Sequence, residues 1–237
     1  MPCLSYTFLV LKEHPYGREM LMQLLEAGLE PIALIEEASD IADEEREKFL
    51  TRIRGHRVAP TFTELLRDQD VPRFEVPNHN GKRCRQLLGD LRPRLGVLGG
   101  TRILRRRILE APPDGMLNSH PGLLPEMRGS ASVAWSIYHD VPIGCTCHFI
   151  DEGIDTGPIV GRREIPVHRG DTYELLCWKT LVLSGTLMAE AVKSWSEGRL
   201  TATPQGEGRP ALRNAPPEVL EVVYRKLAEG TYRHFVD

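Results

Sequence analysis

The chain has 237 residues, 41% hydrophobic and 27% charged, with a formal net charge of −3. Those proportions exclude a disordered or membrane-embedded chain and suit one large α/β domain with or without a small appendage. The charge balance gives no footprint for nucleic acid or an anionic membrane surface, and the run Arg105-Arg106-Arg107 reads as a solvated helix face.

Leu4 to Leu11 is a continuous apolar run closed by His14-Pro15-Tyr16-Gly17, which predicts a buried strand and a turn. The run is too short, and wrongly flanked, for a signal peptide or membrane helix. Five cysteines (Cys3, Cys84, Cys145, Cys147 and Cys177) follow no paired spacing, so a reduced, cytoplasmic protein without membrane attachment is expected. Between Arg18 and Ala27, Met20, Leu21, Leu24 and Leu25 form a helical stripe that Gly28 can end, and Pro31 to Ile35 is the next strand. This β-α-β opening implies a parallel sheet with a right-handed crossover. Its connector, Lys12 to Gly17, holds a single glycine and no G-x-G-x-x-G pattern, so a nicotinamide or flavin cofactor is not expected.

Asp40 to Arg54 is highly charged and reads as a surface helix or partly mobile loop. Thr61 to Asp70 predicts a short helix, Arg73 to Val76 a strand, and Asn78 to Gly81 a turn into a helix ending near Leu91. Leu95 to Leu98 is a buried strand ended by Gly99-Gly100-Thr101. A helix over Ile103 to Leu109 and a strand over Gly115 to Asn118 follow. In open α/β sheets ligands bind beyond the strands' carboxyl ends, which places a site at Gly99-Gly100 and Asn118.

Ser130 to His139 is helix-like, and the strand-like Ile143 to Ile150 pairs with Ile159 to Val167. Asp171 reads as an Asx N-cap with Glu174 three residues on. Behind it Leu175, Trp178, Val182, Gly185, Ala189 and Val192 mark one buried helix face, with Gly185 suggesting close packing. From Ser196 the chain is rich in glycine and proline and ends in a short helix over Pro217 to Ala228. We therefore read residues 1–197 as the catalytic domain and 198–237 as an extension packed on it. There is no internal repeat.

The chemistry is concentrated between Asn118 and Asp155. Asn118 and His120, two apart in an extended segment, face the same way, and Pro121-Gly122 forces a turn after them. The helix and strand that follow can fold the loop Asp151 to Gly157 back beside the pair. Asn, His and Asp at one point suit addition to a carbonyl: amide and imidazolium stabilise the oxyanion, and a carboxylate sets the imidazole's charge and moves protons. The acidic loop, with Asp151, Glu152 and Asp155 between glycines, is too short for an EF-hand. His148 reads as a structural strand histidine. Cys145 and Cys147 point together while His148 points away, and no second C-x-x-C exists, so no metal site is expected. No serine sits in a G-x-S-x-G elbow.

Asn118-x-His120-Pro121-x-x-Leu124-Pro125, then Arg128-Gly129, then His148 to Pro158 (HFIDEGIDTGP) closely resembles the 10-formyltetrahydrofolate-dependent formyltransferases. The match covers roughly Leu95 to Trp195, with a weaker fit through the opening β-α-β unit. It implies a Rossmann-like fold, a mostly parallel twisted sheet flanked by helices, ending in a short loop-rich extension. It implies N10-formyltetrahydrofolate as formyl donor, with no metal, and a primary amine as acceptor, joined through a tetrahedral intermediate. The family's catalytic residues fall on Asn118, His120 and Asp155, the histidine being kept cationic by Asp155. Its folate contacts fall on Leu98, Gly99, Gly100, Thr101, Ile103 and Leu104, and on Asp151, Gly153 and Ile154 of the acidic loop. Arg128 and Gly129 are the acceptor-side residues.

Lys12 to Gly17 departs from the Gly/Ser-rich phosphate loop of glycinamide ribonucleotide enzymes. The residues after Trp195 leave no room for the RNA-binding barrel of methionyl-tRNA enzymes, so no nucleic-acid partner is expected. The sugar N-formyltransferases, which act on nucleotide-linked amino sugars, are the closest type, and a homodimer is compatible with it. The alternatives are an acceptor that is an amino acid or other specialised-metabolite amine, a 10-formyltetrahydrofolate hydrolase, and a catalytically silent folate-binding module.

Overall fold

The computed structural model describes residues 5–237; Cys3 and Leu4 lie outside them. The first strand, β1 (Tyr6–Leu11), is buried along its whole length, as its apolar run requires. Helix α1 (Pro15–Glu26) starts with proline in its first turn, where a missing N–H costs nothing, and His14 Nδ1 accepts from Tyr16 N at 3.2 Å. It ends at Gly28, which takes φ +71°. Strand β2 (Ala33–Glu37) runs two residues past the predicted end. Its last two residues, Glu36 and Glu37, are buried carboxylates, Glu36 paired with Arg73 and Glu37 with Arg102.

Then follow α2 (Asp40–Arg52), α3 (Phe62–Leu65), β3 (Arg73–Val76), α4 (Lys82–Leu91) and β4 (Leu95–Leu98). Helix α5 is only Arg106–Leu109, shorter than expected, because Asn80 Nδ2 donates to Ile103 O and Asn80 Oδ1 accepts from Arg105 N, holding the preceding loop extended. The remaining elements are β5 (Met116–His120), α6 (Ser132–Tyr138), β6 (Gly144–Phe149), β7 (Ile159–Glu164), α7 (Tyr173–Ser196) and α8 (Pro217–Ala228).

The seven strands lie in the order β3-β2-β1-β4-β5-β6-β7. The first five are parallel to one another; β6 is antiparallel to both β5 and β7. Side chains alternate between the two faces. Phe8, Val10, Val97, Leu117, Cys145 and Cys147 pack with α1, α6, α7 and α8, whereas Leu9, Ile35, Leu98 and Met116 pack with α4 and α5. Burying one such aliphatic side chain is worth about 1.5–3 kcal/mol, so this alternation sets the register of every strand.

Two helix details differ from the sequence reading. The N-cap of α7 is Thr172, whose hydroxyl accepts from Leu175 N at 3.2 Å. Asp171 is occupied elsewhere, accepting from His168 N and pairing with Lys179 Nζ at 2.6 Å. Of the predicted face of α7, Gly185 and Val192 are buried, but most of the buried face is shifted by about a residue, to Leu176, Cys177, Leu181, Ser184, Met188 and Ala191. Leu175, Trp178, Val182 and Ala189 are half-buried because α7 packs on the sheet and on α1 at once, which blurs a single stripe. By length and composition α7 could cross a membrane, but over half of its apolar window is buried inside the protein. Gly185 does sit in a close contact: a Cβ there would come 2.7 Å from the Gln23 side-chain amide of α1.

Residues 198–237 lie against the sheet and helices. Val219, Val223, Leu227 and Tyr232 join the larger core, and Thr203, Leu212 and Phe235 form isolated bridges with Ile159, Gly129 and Val167.

Candidate active site

Strand parity builds the site. Leu117 faces the α7 side, so Asn118 and His120 emerge together on the opposite face at the carboxyl end of β5. The antiparallel register pairs Asn118 with His148 of β6, and with Cys145 and Cys147 turned toward α7, His148 must face Asn118. A short turn then returns Asp155 to the same point. It lies 3.5 Å from His120 Nδ1 and 3.6 Å from His148 Nε2, and its carboxylate also accepts Gly129 N at 2.8 Å.

His148 is therefore part of the cluster, contrary to its reading as a structural residue. Its Nδ1 lies 2.8 Å from Phe149 O, and a carbonyl can only accept, so that nitrogen carries the proton. The bare Nε2 then accepts from Asn118 Nδ2 at 3.3 Å, which fixes the amide's orientation and leaves its second N–H unused.

The same logic applies to His120. Nε2 is 2.8 Å from Met127 O and shares the contact with Ser132 Oγ at 3.1 Å, so Nε2 is protonated. The sequence reading had Asp155 keep this imidazole cationic; the structure corrects it. Burial, the largest influence, lowers the His120 pKa below the usual 6.5 and outweighs the Asp155 carboxylate and the Met127 carbonyl. At neutral pH His120 is uncharged, with a bare Nδ1 aimed at Asp155. Burial alone would raise the Asp155 carboxyl. In the acid range where this carboxyl titrates, a protonated His120, with His148 and the Gly129 amide, holds it down at about 2 instead.

The other acidic residues of the loop are not in the cluster. Asp151 Oδ1 accepts from Gly153 N at 3.0 Å and Thr156 Oγ1 at 2.6 Å, an Asx turn that shapes the loop. Glu152 is exposed and points toward Arg106 at 3.6 Å. At Gly157 a Cβ would sit 2.0 Å from Phe149 O, so only glycine lets the loop close on β6. Gly129 takes φ +95° with a would-be Cβ 2.1 Å from Leu212 O, and its neighbour Arg128 donates to Gln205 Oε1 and Gly206 O. Cys145 and Cys147 are buried thiols raised by desolvation to about 12, so neither is a thiolate near neutral pH.

The loop after β4 borders the site on the sheet's switch-point side. Leu98 and Leu104 are core residues, so only their backbone faces outward; Gly100 O accepts from Leu11 N at 2.9 Å, and Ile103 is 73% exposed. Across the site Ile154 is 47% exposed. Two apolar side chains left open on the two loops that flank the cluster mark a surface that a flat, partly apolar ligand can cover.

On the side of Ser132, a small cavity of ≈ 50 Å³ is lined by Tyr16, Phe49, Pro121 and Ser132. Through Arg52, Ala131 and Tyr173 it adjoins a cleft of ≈ 190 Å³ that also carries Arg54, Asn214 and Tyr224. The cleft carries two cations, Arg52 and Arg54, and one carboxylate, Glu174, which accepts from the Tyr224 hydroxyl at 3.0 Å; burial first, then Arg52 and Arg46, lower the nearby His14 to about 4.

The chain has relatives. Residues 10–192 match the family model described as formyl transferase. A methionyl-tRNA formyltransferase from Thermodesulfovibrio yellowstonii is 38% identical over 110 residues, 46% of this chain and 36% of the relative. The chain spans about half the length, or less, of the curated relatives it matches. Among solved structures, a glycinamide ribonucleotide transformylase from Symbiobacterium toebii superimposes with a TM-score of 0.67 at 22% identity, covering 87% of this chain and 96% of that one. The formyltransferase PseJ from Anoxybacillus kamchatkensis, solved with UDP-4,6-dideoxy-4-formamido-L-AltNAc and tetrahydrofolate, gives 0.56 at 19% identity, covering 89% and 86%. These superpositions match the mostly parallel, helix-flanked fold described above. With its model matched over most of the chain, the site-bearing strands and acidic loop included, this protein belongs to the formyl transferase family.

Proposed function

We propose that this chain transfers a formyl group from N10-formyltetrahydrofolate to the primary amine of a small molecule, with nucleotide-linked amino sugars as the acceptor class. The observation that carries the reading is the convergence of Asn118, His120, His148 and Asp155 on one point, with one amide N–H and one imidazole nitrogen unused.

The folate supplies a formyl carbon that an amine can attack. Its binding surface is the backbone of Leu98, Gly99, Gly100, Thr101, Ile103 and Leu104, facing Asp151, Gly153 and Ile154, and the two exposed isoleucines suit its pterin and aryl faces. Asn118, oriented by His148, gives its second N–H to the carbonyl oxygen as negative charge builds there; such a donor is typically worth about 3–4 kcal/mol. His120 Nδ1, bare in the resting state, takes the proton the amine must lose and becomes an imidazolium against Asp155. It then returns that proton to the departing nitrogen. Asp155 is thus the partner of a transient cation, and Gly129, through its amide, holds that carboxylate in place. Arg128 and Gly129 form the wall of the acceptor side.

The acceptor reading rests on the cleft. An amine presented at Ser132 would extend past Tyr173 into a groove with Arg52 and Arg54, one carboxylate (Glu174) and two tyrosines, where the two guanidinium groups can receive an anionic, ring-bearing group. A solved neighbour bound to a UDP-linked formamido sugar supports it. The competing acceptor is methionyl-tRNA, the substrate in the curated relatives' names. The test is competition between dTDP- and UDP-linked amino sugars, glycinamide ribonucleotide and methionyl-tRNA for formyl from 10-formyltetrahydrofolate. Faster formylation of tRNA than of any sugar would overturn the acceptor assignment. Turnover of none would shift it to an amino acid or peptide amine.

A further inference from the structure

Gln205 lies in the extension, beyond the residues that match the family, yet its side chain reaches the site. Nε2 donates to Asp155 O at 3.0 Å and to Gly157 O at 2.6 Å, while Oε1 accepts from Arg128 at 2.9 Å. The segment that carries it is tied down on both sides. Thr203 and Ile159 exchange two backbone bonds of 2.8 Å, and Leu212 accepts from Ser130 N at 2.8 Å and donates to Arg128 O at 2.9 Å. Residues 203–212 thus cross from the edge of β7, over the acidic loop, to the Arg128–Ser130 loop.

Asp155 is held in the left-handed region, φ +53°, without being glycine. Such a backbone persists only where its surroundings over-determine it. One face of the determination is the carboxylate bond to Gly129 N; the other is the grip of Gln205 on the carbonyls of Asp155 itself and of Gly157. The two are linked, because the other end of the same amide holds Arg128, the residue before Gly129.

We propose that residues 203–212 are a strap that completes the active site, and that Gln205 is a positioning residue, its one amide fixing the acidic loop to the Arg128-Gly129 loop so that the Asp155 carboxylate stands against His120. A side-chain amide is the group this role needs, since it presents a donor pair to two carbonyls and an acceptor to a guanidinium. Glutamate keeps the shape but sets an oxygen against two carbonyls, and leucine loses both functions.

The inference rests on the proposed formyl transfer for its kinetic test and on geometry alone for its second. With 10-formyltetrahydrofolate and a UDP-linked 4-amino sugar, Gln205→Leu and Gln205→Glu should lower kcat by roughly 10- to 100-fold while KM for the folate stays within about twofold. Gln205→Asn, one methylene short but still an amide, should recover part of the loss, and Glu221→Gln, exposed on α8 outside the strap, should change nothing. Independently of any activity, hydrogen exchange should rise by roughly tenfold at both 126–132 and 152–158 in Gln205→Leu, with the core strands unchanged. Unchanged exchange in those segments, or a KM effect with kcat intact, would overturn the proposal. Increased exchange without turnover by any variant or the wild type would sustain the strap and count against the formyl-transfer reading instead.

Discussion

Asp155→Asn separates the charge of this residue from its shape. The carboxyl is held from 3.8 down to about 2 although only 13% of the side chain is exposed. A displacement of nearly two units corresponds to about 2 kcal/mol favouring the ionised form, net of a burial cost that opposes it. The attraction available to a cation on His120 is therefore larger than that net figure, and an uncharged amide forfeits it. We expect kcat to fall by roughly 10²-fold or more, with KM for either substrate changed little, because the partner charge exists only while His120 holds the proton. The variant should also be less stable by up to about 2 kcal/mol, so its fold is checked first by circular dichroism and thermal melting. Turnover is followed as tetrahydrofolate release. Asp151→Asn serves as the control, since Asp151 only shapes the turn and should cost far less. A nearly active Asp155→Asn beside an inactive Asp151→Asn would refute the assignment and the role given to His120.

Three further outcomes are expected. His14, lowered from 6.5 to about 4, favours the neutral ring when folded, so its contribution is complete above pH 6.5 and is lost as pH falls toward 4; it amounts to about 3 kcal/mol. His14→Asn, which keeps an N-cap acceptor, should flatten that stretch of the stability-against-pH curve measured by denaturant melts. Gly157→Ala drives a Cβ into Phe149 O and should displace the acidic loop, lowering kcat by at least about tenfold in steady-state assays while β-sheet signals persist. Arg52→Ala should raise KM for an anionic acceptor by about tenfold, with KM for the folate unmoved; equal effects on both would place the cleft outside the acceptor path.

Much of this was legible in the chain. β3 and β4 fall on their predicted ranges, and the two-residue spacing of Asn118 and His120 fixed their common face once strand parity was assumed. What sequence could not give were properties that depend on neighbours. His148 looked structural because its partner across the sheet is set by the β5–β6 register, yet the parity that turns Cys145 and Cys147 toward α7 already pointed it at Asn118. The charge of His120 depends on how deeply it is buried, which no local pattern reports. The cap of α7 slipped by one residue because Asp171 and Thr172 are both good caps, and only Lys179, two turns along the helix, decided between them. Gln205 carried no signal at all: a lone glutamine in a proline-rich segment becomes meaningful only when the extension folds back.

The most direct measurement of the central claim is a formyl balance. The protein is given 10-formyltetrahydrofolate carrying an isotopic label in the formyl group, with a UDP-linked 4-amino sugar present or absent, and the label is traced by mass spectrometry. The account predicts label in a formamide in one-to-one ratio with released tetrahydrofolate, and negligible release without the amine. Label appearing as free formate at the same rate with and without amine would contradict it and assign a hydrolase.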